Sequence, residues 1–280
     1  MIDPLWFGAF ALGVLGLLIG SFLNVVIHRL PKMLERQWAL ESAEILGQAP
    51  TQVENLNLIT PRSRCPHCGN GIHWYQNIPV LSYLALRGKC AHCSASIGLR
   101  YPLVELITAG LFCYCGWRWG ITLTALAWCV FSSMLVALAF IDWDTTLLPD
   151  DITLPLLWLG LIGAALHWTP VTLDSALWGA VGGYLSLWSV YWAFKLITHK
   201  EGMGFGDFKL FAALGAWFGW PILIPIILIA SVIGAVVGIM MKYSSGLREG
   251  GYVPFGPFLA GAGLTAMLAG PGSLLRIFGG

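Results

Sequence analysis

Gly202-Met203-Gly204-Phe205-Gly206-Asp207-Phe208-Lys209 lies between two strongly apolar segments and sets a carboxylate and an ammonium at the mouth of the second. Burying either charge in an apolar medium is expensive, and such a cost usually has a functional reason. The alternating glycines leave Met203 and Phe205 as the only side chains ahead of the aspartate. A backbone this bare can take up conformations closed to other residues, and another chain can approach it closely. Two readings follow: an aspartate presented on a bare backbone, or a turn with Asp207 as helix N-cap. The rest of the chain has to decide between them.

With 57% hydrophobic residues, 10% charged residues and a mean hydropathy of +0.75, the 280-residue chain is too apolar for one soluble core. It reads as an all-α integral membrane protein. The balance of 15 basic against 14 acidic side chains gives no reason to expect a nucleic-acid partner. The first apolar run, Leu5 to Ile27, has no basic residue before it and no small-x-small site after it, and is too long for a signal-peptide core. It is therefore expected to stay as a membrane anchor.

Apolar runs long enough to span a bilayer fall near 5–28, 102–117, 121–141, 152–168, 175–195, 207–220, 221–241 and 255–275. The expectation is about eight transmembrane helices: a first one in 1–30, a polar domain in 31–100, and the remaining spans in 101–280. If 31–100 faces the cytoplasm, 13 of the 15 basic residues fall on that side, and only Arg118 and Arg276 lie opposite. Both termini are then outside.

The polar domain carries Cys65-Pro66-His67-Cys68 and, 21 residues on, Cys90-Ala91-His92-Cys93. Two such knuckles suit a closed tetrahedral Zn2+ site of zinc-ribbon type, structural because no coordination position is left for a reacting water. Disulfides are the alternative, and a reducing cytoplasm argues against them. His67 and His92 lie inside the knuckles but are not needed as ligands. The segment His73 to Pro79 is aromatic and polar enough to form a binding surface or to cover the metal.

Asn24, in the first span, needs a partner in the protein interior. His28 and Arg29 at its end read as snorkelling side chains. Glu105, one turn into the second span, is favoured by the helix macrodipole there. Asp142, Asp144, Asp150 and Asp151 occur within ten residues without one basic neighbour in sequence. Asp150 or Asp151 suits the N-cap of the next helix, whereas Asp142 is attached directly to an apolar run. Two crossings separate Asp142 from Asp207, so both return to the same face of the bilayer. A segment as short as 207–220 suggests that the glycine loop dips into the membrane. Tyr252 to Phe258, with Pro254 and Pro257, reads as a stiffened helix entry.

Two carboxylates within hydrogen-bond distance share one proton, so one can act as base toward water while the other polarises a carbonyl. That arrangement suits an aspartic protease, and it suits a proton-coupled transporter equally. A zinc-bearing assembly factor without enzymatic activity is a third possibility. No His-Glu-x-x-His and no Gly-x-Ser-x-Gly is present for other protease chemistries.

Gly204-Phe205-Gly206-Asp207 resembles the GxGD motif of membrane aspartyl proteases, and Asp142 with Pro149 resembles the partner motif of bacterial type IV prepilin peptidases. Asn24 in its Gly-Ser-Phe-Leu-Asn setting, the paired Cys-x-x-Cys, Tyr101-Pro102 with Glu105, and Pro254-Phe255-Gly256-Pro257 are similar to that family in the same order. The resemblance implies a multi-pass enzyme of the bacterial inner membrane that removes the basic leader from type IV prepilin or type II secretion pseudopilin precursors. It also implies methylation of the new N-terminus with S-adenosylmethionine. Asp142 and Asp207 carry over as the catalytic pair, with Gly204, Gly206 and Lys209 as loop support and Cys65, Cys68, Cys90 and Cys93 as the zinc site. Asp144, Asp150 and Asp151 are expected to attract the leader. No motif marks a methyl-donor pocket, and Gly202–Gly206 follows no strand as a nucleotide loop would. Nothing in the sequence indicates the oligomeric state.

Overall fold

The computed structural model describes residues 4–47, 56–200, 202–243 and 253–278. Among them the regular structure is helical, without a strand: α1 Pro4–Ile45, α2 Leu81–Ala85, α3 Arg100–Trp119, α4 Leu123–Thr145, α5 Asp150–Ala165, α6 Leu173–Thr198, α7 Phe205–Phe218, α8 Leu223–Tyr243, α9 Gly256–Ala269 and α10 Pro271–Phe278. Leu5–Ile45, Leu123–Thr145 and Trp220–Tyr243 are long and apolar enough to cross a membrane. A fourth span is reached if Gly256–Ala269 and Pro271–Ile277, bent by 104° at the break, count as one. Helices cover every expected segment, but α5, α7 and α9, at 16, 14 and 14 residues, are short for a crossing. Arg100, Glu105 and Arg118 dilute the hydropathy of α3.

The chain divides into two compact units, Met1–Ser133 and Met134–Gly280. In the first, α1 and α3 run antiparallel with backbones in close approach. A Cβ on Gly16 would sit 2.7 Å from Ala109 Cα, and one on Gly20 2.7 Å from Glu105 Cα. Small residues of this kind supply helix association where lipid removes the hydrophobic drive. Asn24 donates to Gly20 O at 3.3 Å and Tyr101 O at 3.1 Å, so its amide is satisfied within the helix pair.

Two expectations need correction here. Arg29 does more than snorkel: its guanidinium donates to Asn57 O at 2.9 Å and Pro61 O at 2.6 Å, tying α1 to the polar segment. Glu105 does more than answer a helix dipole. Its Oε2 accepts the Val80 N–H at 2.8 Å, anchoring a residue whose φ of 58° a β-branched side chain rarely adopts. The first helix also runs on through Pro31 to Ile45, turning polar beyond the proline.

In the second unit the organising element is α7, with eleven of its fourteen residues buried. A helix apolar on every side belongs in a core, and its neighbours enclose it. Gly179 of α6 meets Gly215 of α7 backbone to backbone, and a Cβ on Gly183 would lie 2.8 Å from Phe211 O. On the α5 side, Trp217 Nε1 donates to Leu156 O at 2.8 Å. On the α9 side, a Cβ on Gly263 would lie 2.6 Å from Leu214 Cδ2.

The segment 255–275, read as one span, is broken at Gly270 (φ 80°) and Pro271, a helix-ending glycine followed by a helix-starting proline.

Candidate active site

Asp142 closes the apolar part of α4 and is 4% exposed; Asp207, near the start of α7, is 7% exposed. Both lie in the second unit, and their charges interact. The N-cap reading of the glycine loop does not hold: Gly204 (φ −79°) is the N-cap of α7, and Asp207 stands three residues inside the helix. Gly202, Gly204 and Gly206 take no positive φ, so of the bare-backbone reading only the close approach remains. Gly206 is needed for packing, since a Cβ there would lie 2.6 Å from Leu148 Cβ. Gly202 lies against the Phe194 ring, where a Cβ would be 2.9 Å away, so this loop packs on side chains and forms no nucleotide cradle.

The acidic cluster has a basic neighbour after all, supplied from α7. Lys209 Nζ lies 2.7 Å from both oxygens of Asp150. Asp150 is therefore not the N-cap of α5. That position belongs to Pro149, and Asp150 and Asp151 occupy the first turn, where the helix dipole favours them. Asp144 and Asp151 are exposed. The pair from Lys209 to Asp150 is itself partly exposed, at 29% and 53%, and is worth under about 1 kcal/mol.

One residue escaped the sequence reading. Gly256, the first residue of α9, donates its N–H to Asp142 Oδ2 at 2.9 Å. Leu148 fills the space between the starts of α7 and α9: a Cβ on Gly256 would lie 3.1 Å from its Cδ2. The sequence offered Gly256 only inside Pro254-Phe255-Gly256-Pro257, read as a stiffened helix entry and as one of the family-like motifs, and neither reading marks a main-chain donor. Tyr252, at the head of that motif, lies outside the described residues.

In the first unit Cys65, Cys68, Cys90 and Cys93 bring their sulfurs within 4.8 Å of one another. Both knuckles have the same backbone: Cys65 N–H to Asn70 O at 2.9 Å and Cys90 N–H to Ala95 O at 2.8 Å, each closed by a bridge, Arg64 with Gly71 and Lys89 with Ser96. Cys65 and Cys93 Sγ are 3.7 Å apart, far beyond a disulfide, and all seven cysteines are free. Zinc with bonds of about 2.3 Å to four thiolates requires sulfur spacings of about 3.8 Å, so the residues fit the ion. Backbone N–H groups of Cys93 and His92 hold the Cys90 thiol down at about 6. The Cys93 thiol is pushed up to about 11: the Ala95 amide favours its thiolate, but desolvation and the neighbouring sulfurs outweigh that.

Residues 14–119 match the family model described as the bacterial peptidase A24 N-terminal domain, and residues 129–239 match that of the type IV leader peptidase family. A protein named prepilin leader peptidase/N-methyltransferase from Pseudomonas aeruginosa is 55% identical over 259 residues, covering 92% of this chain and 89% of that one. Proteins of the same name from Stutzerimonas stutzeri and Aeromonas hydrophila are 53% and 52% identical, covering 96% and 91% of this chain and 92% and 88% of theirs. No solved structure gives a significant match. With two family models matched in order and relatives more than half identical over nine-tenths of the chain, the chain belongs to the type IV leader peptidase family.

Proposed function

We propose that this protein is a bifunctional leader peptidase, cutting the basic leader from type IV prepilin or pseudopilin precursors and methylating the new N-terminal amine with S-adenosylmethionine. The observation that carries the reading is the burial, within one helical unit, of two interacting carboxylates, Asp142 and Asp207, on a chain of this family. In that reading the pair holds one proton, activates a water and protonates the scissile carbonyl. Gly204 caps α7 and Gly206 lets its start pack on Leu148, which seats Asp207, and Lys209 braces α7 against α5 through Asp150. Nothing in the relatives favours the proton-coupled transporter.

The topology proposed is eight spans with both termini outside, in the bacterial inner membrane. A first helix (1–30) and a cytoplasmic cysteine domain (31–100) precede the protease part (101–280). The bias of basic residues supports the orientation. The glycine loop lies below the cytoplasmic surface, and because Gly202, Gly204 and Phe205 are exposed, irregular backbone at that depth lines a wet cavity. Cys65, Cys68, Cys90 and Cys93 hold a structural zinc, which ties the two knuckles together and takes no part in cleavage. Asp144 and Asp151 draw in the basic leader. Asp150 contributes less because Lys209 already offsets its charge. The apolar pilin helix enters along the groove lined by Val190, Tyr191, Phe194, Gly202 and Met203, beside the glycine loop.

The test is to incubate the purified protein in lipid nanodiscs with a prepilin peptide and methyl-labelled S-adenosylmethionine. Release of the leader and labelling of the new N-terminus are expected. Intact peptide would refute the reading.

A further inference from the structure

We infer that Gly256 is the positioning residue that makes Asp142 the charged member of the pair, leaving Asp207 to hold the shared proton. The inference rests on the proposed aspartate pair and adds a division of labour to it. The start of α9 offers few amides. Pro257 has none, and those of Phe258 and Leu259 are taken by Phe255 O at 3.1 and 3.2 Å. The Gly256 N–H remains and goes to Asp142 Oδ2 at 2.9 Å, at the positive end of a 14-residue helix, which favours an anion. Glycine is required for the approach, since a Cβ would lie 2.6 Å from that same oxygen.

Asp207 also lies in the first turn of a 14-residue helix, so the dipole does not separate the two carboxyls; what differs is the hydrogen bonding. Its Oδ1 is buried with no hydrogen-bond partner, and the backbone hydrogen bond from Gly204 to the carboxyl leaves that oxygen unrelieved. A bare buried carboxylate oxygen carries a desolvation penalty that a proton removes. Lys209, two residues away, gives its ammonium to Asp150.

The roles then balance. Asp142 takes a proton from water as the water oxygen bonds to the scissile carbon, and Asp207 gives its proton to the carbonyl oxygen. On collapse of the tetrahedral species the C–N bond breaks. Asp142 passes its proton to the leaving nitrogen, and a hydroxyl of the tetrahedral carbon returns one to Asp207.

Two measurements test this. Infrared difference spectra at pH 7 should show the band of a protonated carboxylic acid lost in Asp207→Asn and kept in Asp142→Asn; loss in Asp142→Asn instead would overturn the assignment. Gly256→Ala should lower kcat at least tenfold with KM unchanged, and move the acidic limb of kcat/KM upward by about one pH unit, because a carboxylate deprived of its donor ionises less readily. Retained methyl transfer and thermal midpoint serve as the check on folding. A Gly256→Ala protein with the wild-type pH profile would overturn the positioning role, and if that variant does not fold the infrared comparison decides alone. Should either asparagine variant, folded, still cleave, the aspartate pair itself fails and this assignment falls with it.

Discussion

Gly215→Ala adds one carbon to a helix with no room to receive it. Gly215 and Gly179 meet backbone to backbone, and the new Cβ would stand closer to Gly179 O than any real Cβ contact. Relief requires α6 and α7 to part by about 1 Å, since the obstacle is main chain and has no alternative rotamer. Overpacking of this kind costs about 1–3 kcal/mol. The larger effect falls on function, because α7 carries Asp207 from its third residue. A displacement of about 1 Å at a reacting group costs roughly 100-fold in rate. The assay is cleavage of a prepilin peptide in nanodiscs, with the thermal midpoint measured alongside. Gly182→Ala is the control on α6: its Cβ would meet only Leu223 Cδ1 at 4.0 Å, an ordinary contact, and the variant should cleave as wild type. A Gly215→Ala protein with wild-type rate and midpoint would refute the claim that close approach of α6 and α7 sets the position of Asp207.

Glu105→Ala should destabilise the first unit by about 1–3 kcal/mol by stranding the Val80 amide, and Glu105→Gln, which keeps an acceptor, should recover most of it; equal losses in a thermal-shift assay would contradict the anchoring role. Cys65→Ser should lower bound zinc, read by atomic absorption, with cleavage affected less than methylation. Because thiolates bind the metal and thiols do not, zinc should be retained at neutral pH and released on acidification, as protons compete for the four sulfurs. Zinc bound equally at pH 7 and pH 4 would count against a thiolate site. Asp144→Lys and Asp151→Lys should each raise KM for a basic leader several-fold at low salt, and more than Asp150→Asn does; insensitivity to charge reversal and to ionic strength would remove these residues from leader recognition.

What the sequence displayed was the chemistry that recurs along it. Asp142 and Asp207 stood out because each attaches a carboxylate to an apolar run, and the two crossings expected between them would return both to one face. The four cysteines stood out by spacing alone. Contacts between distant segments were hidden. Asp150 looked unpaired because its partner Lys209 is 59 residues away on another helix. Gly256 looked like a helix entry because no one-dimensional pattern marks a main-chain donor. Arg29 looked like an interfacial anchor because the carbonyls it binds belong to the polar segment. The brevity of α7 was legible as a number, whereas its cause, enclosure by α5, α6 and α9, belongs to the tertiary fold.

The most direct measurement is the single-turnover cleavage rate of a prepilin peptide by purified Asp142→Asn and Asp207→Asn, each checked for folding by its retained methyl transfer. Shared-proton chemistry predicts that both lose cleavage to background, since either asparagine removes half of the acid and base function. Cleavage by either folded variant at more than a few per cent of the wild-type rate would contradict it.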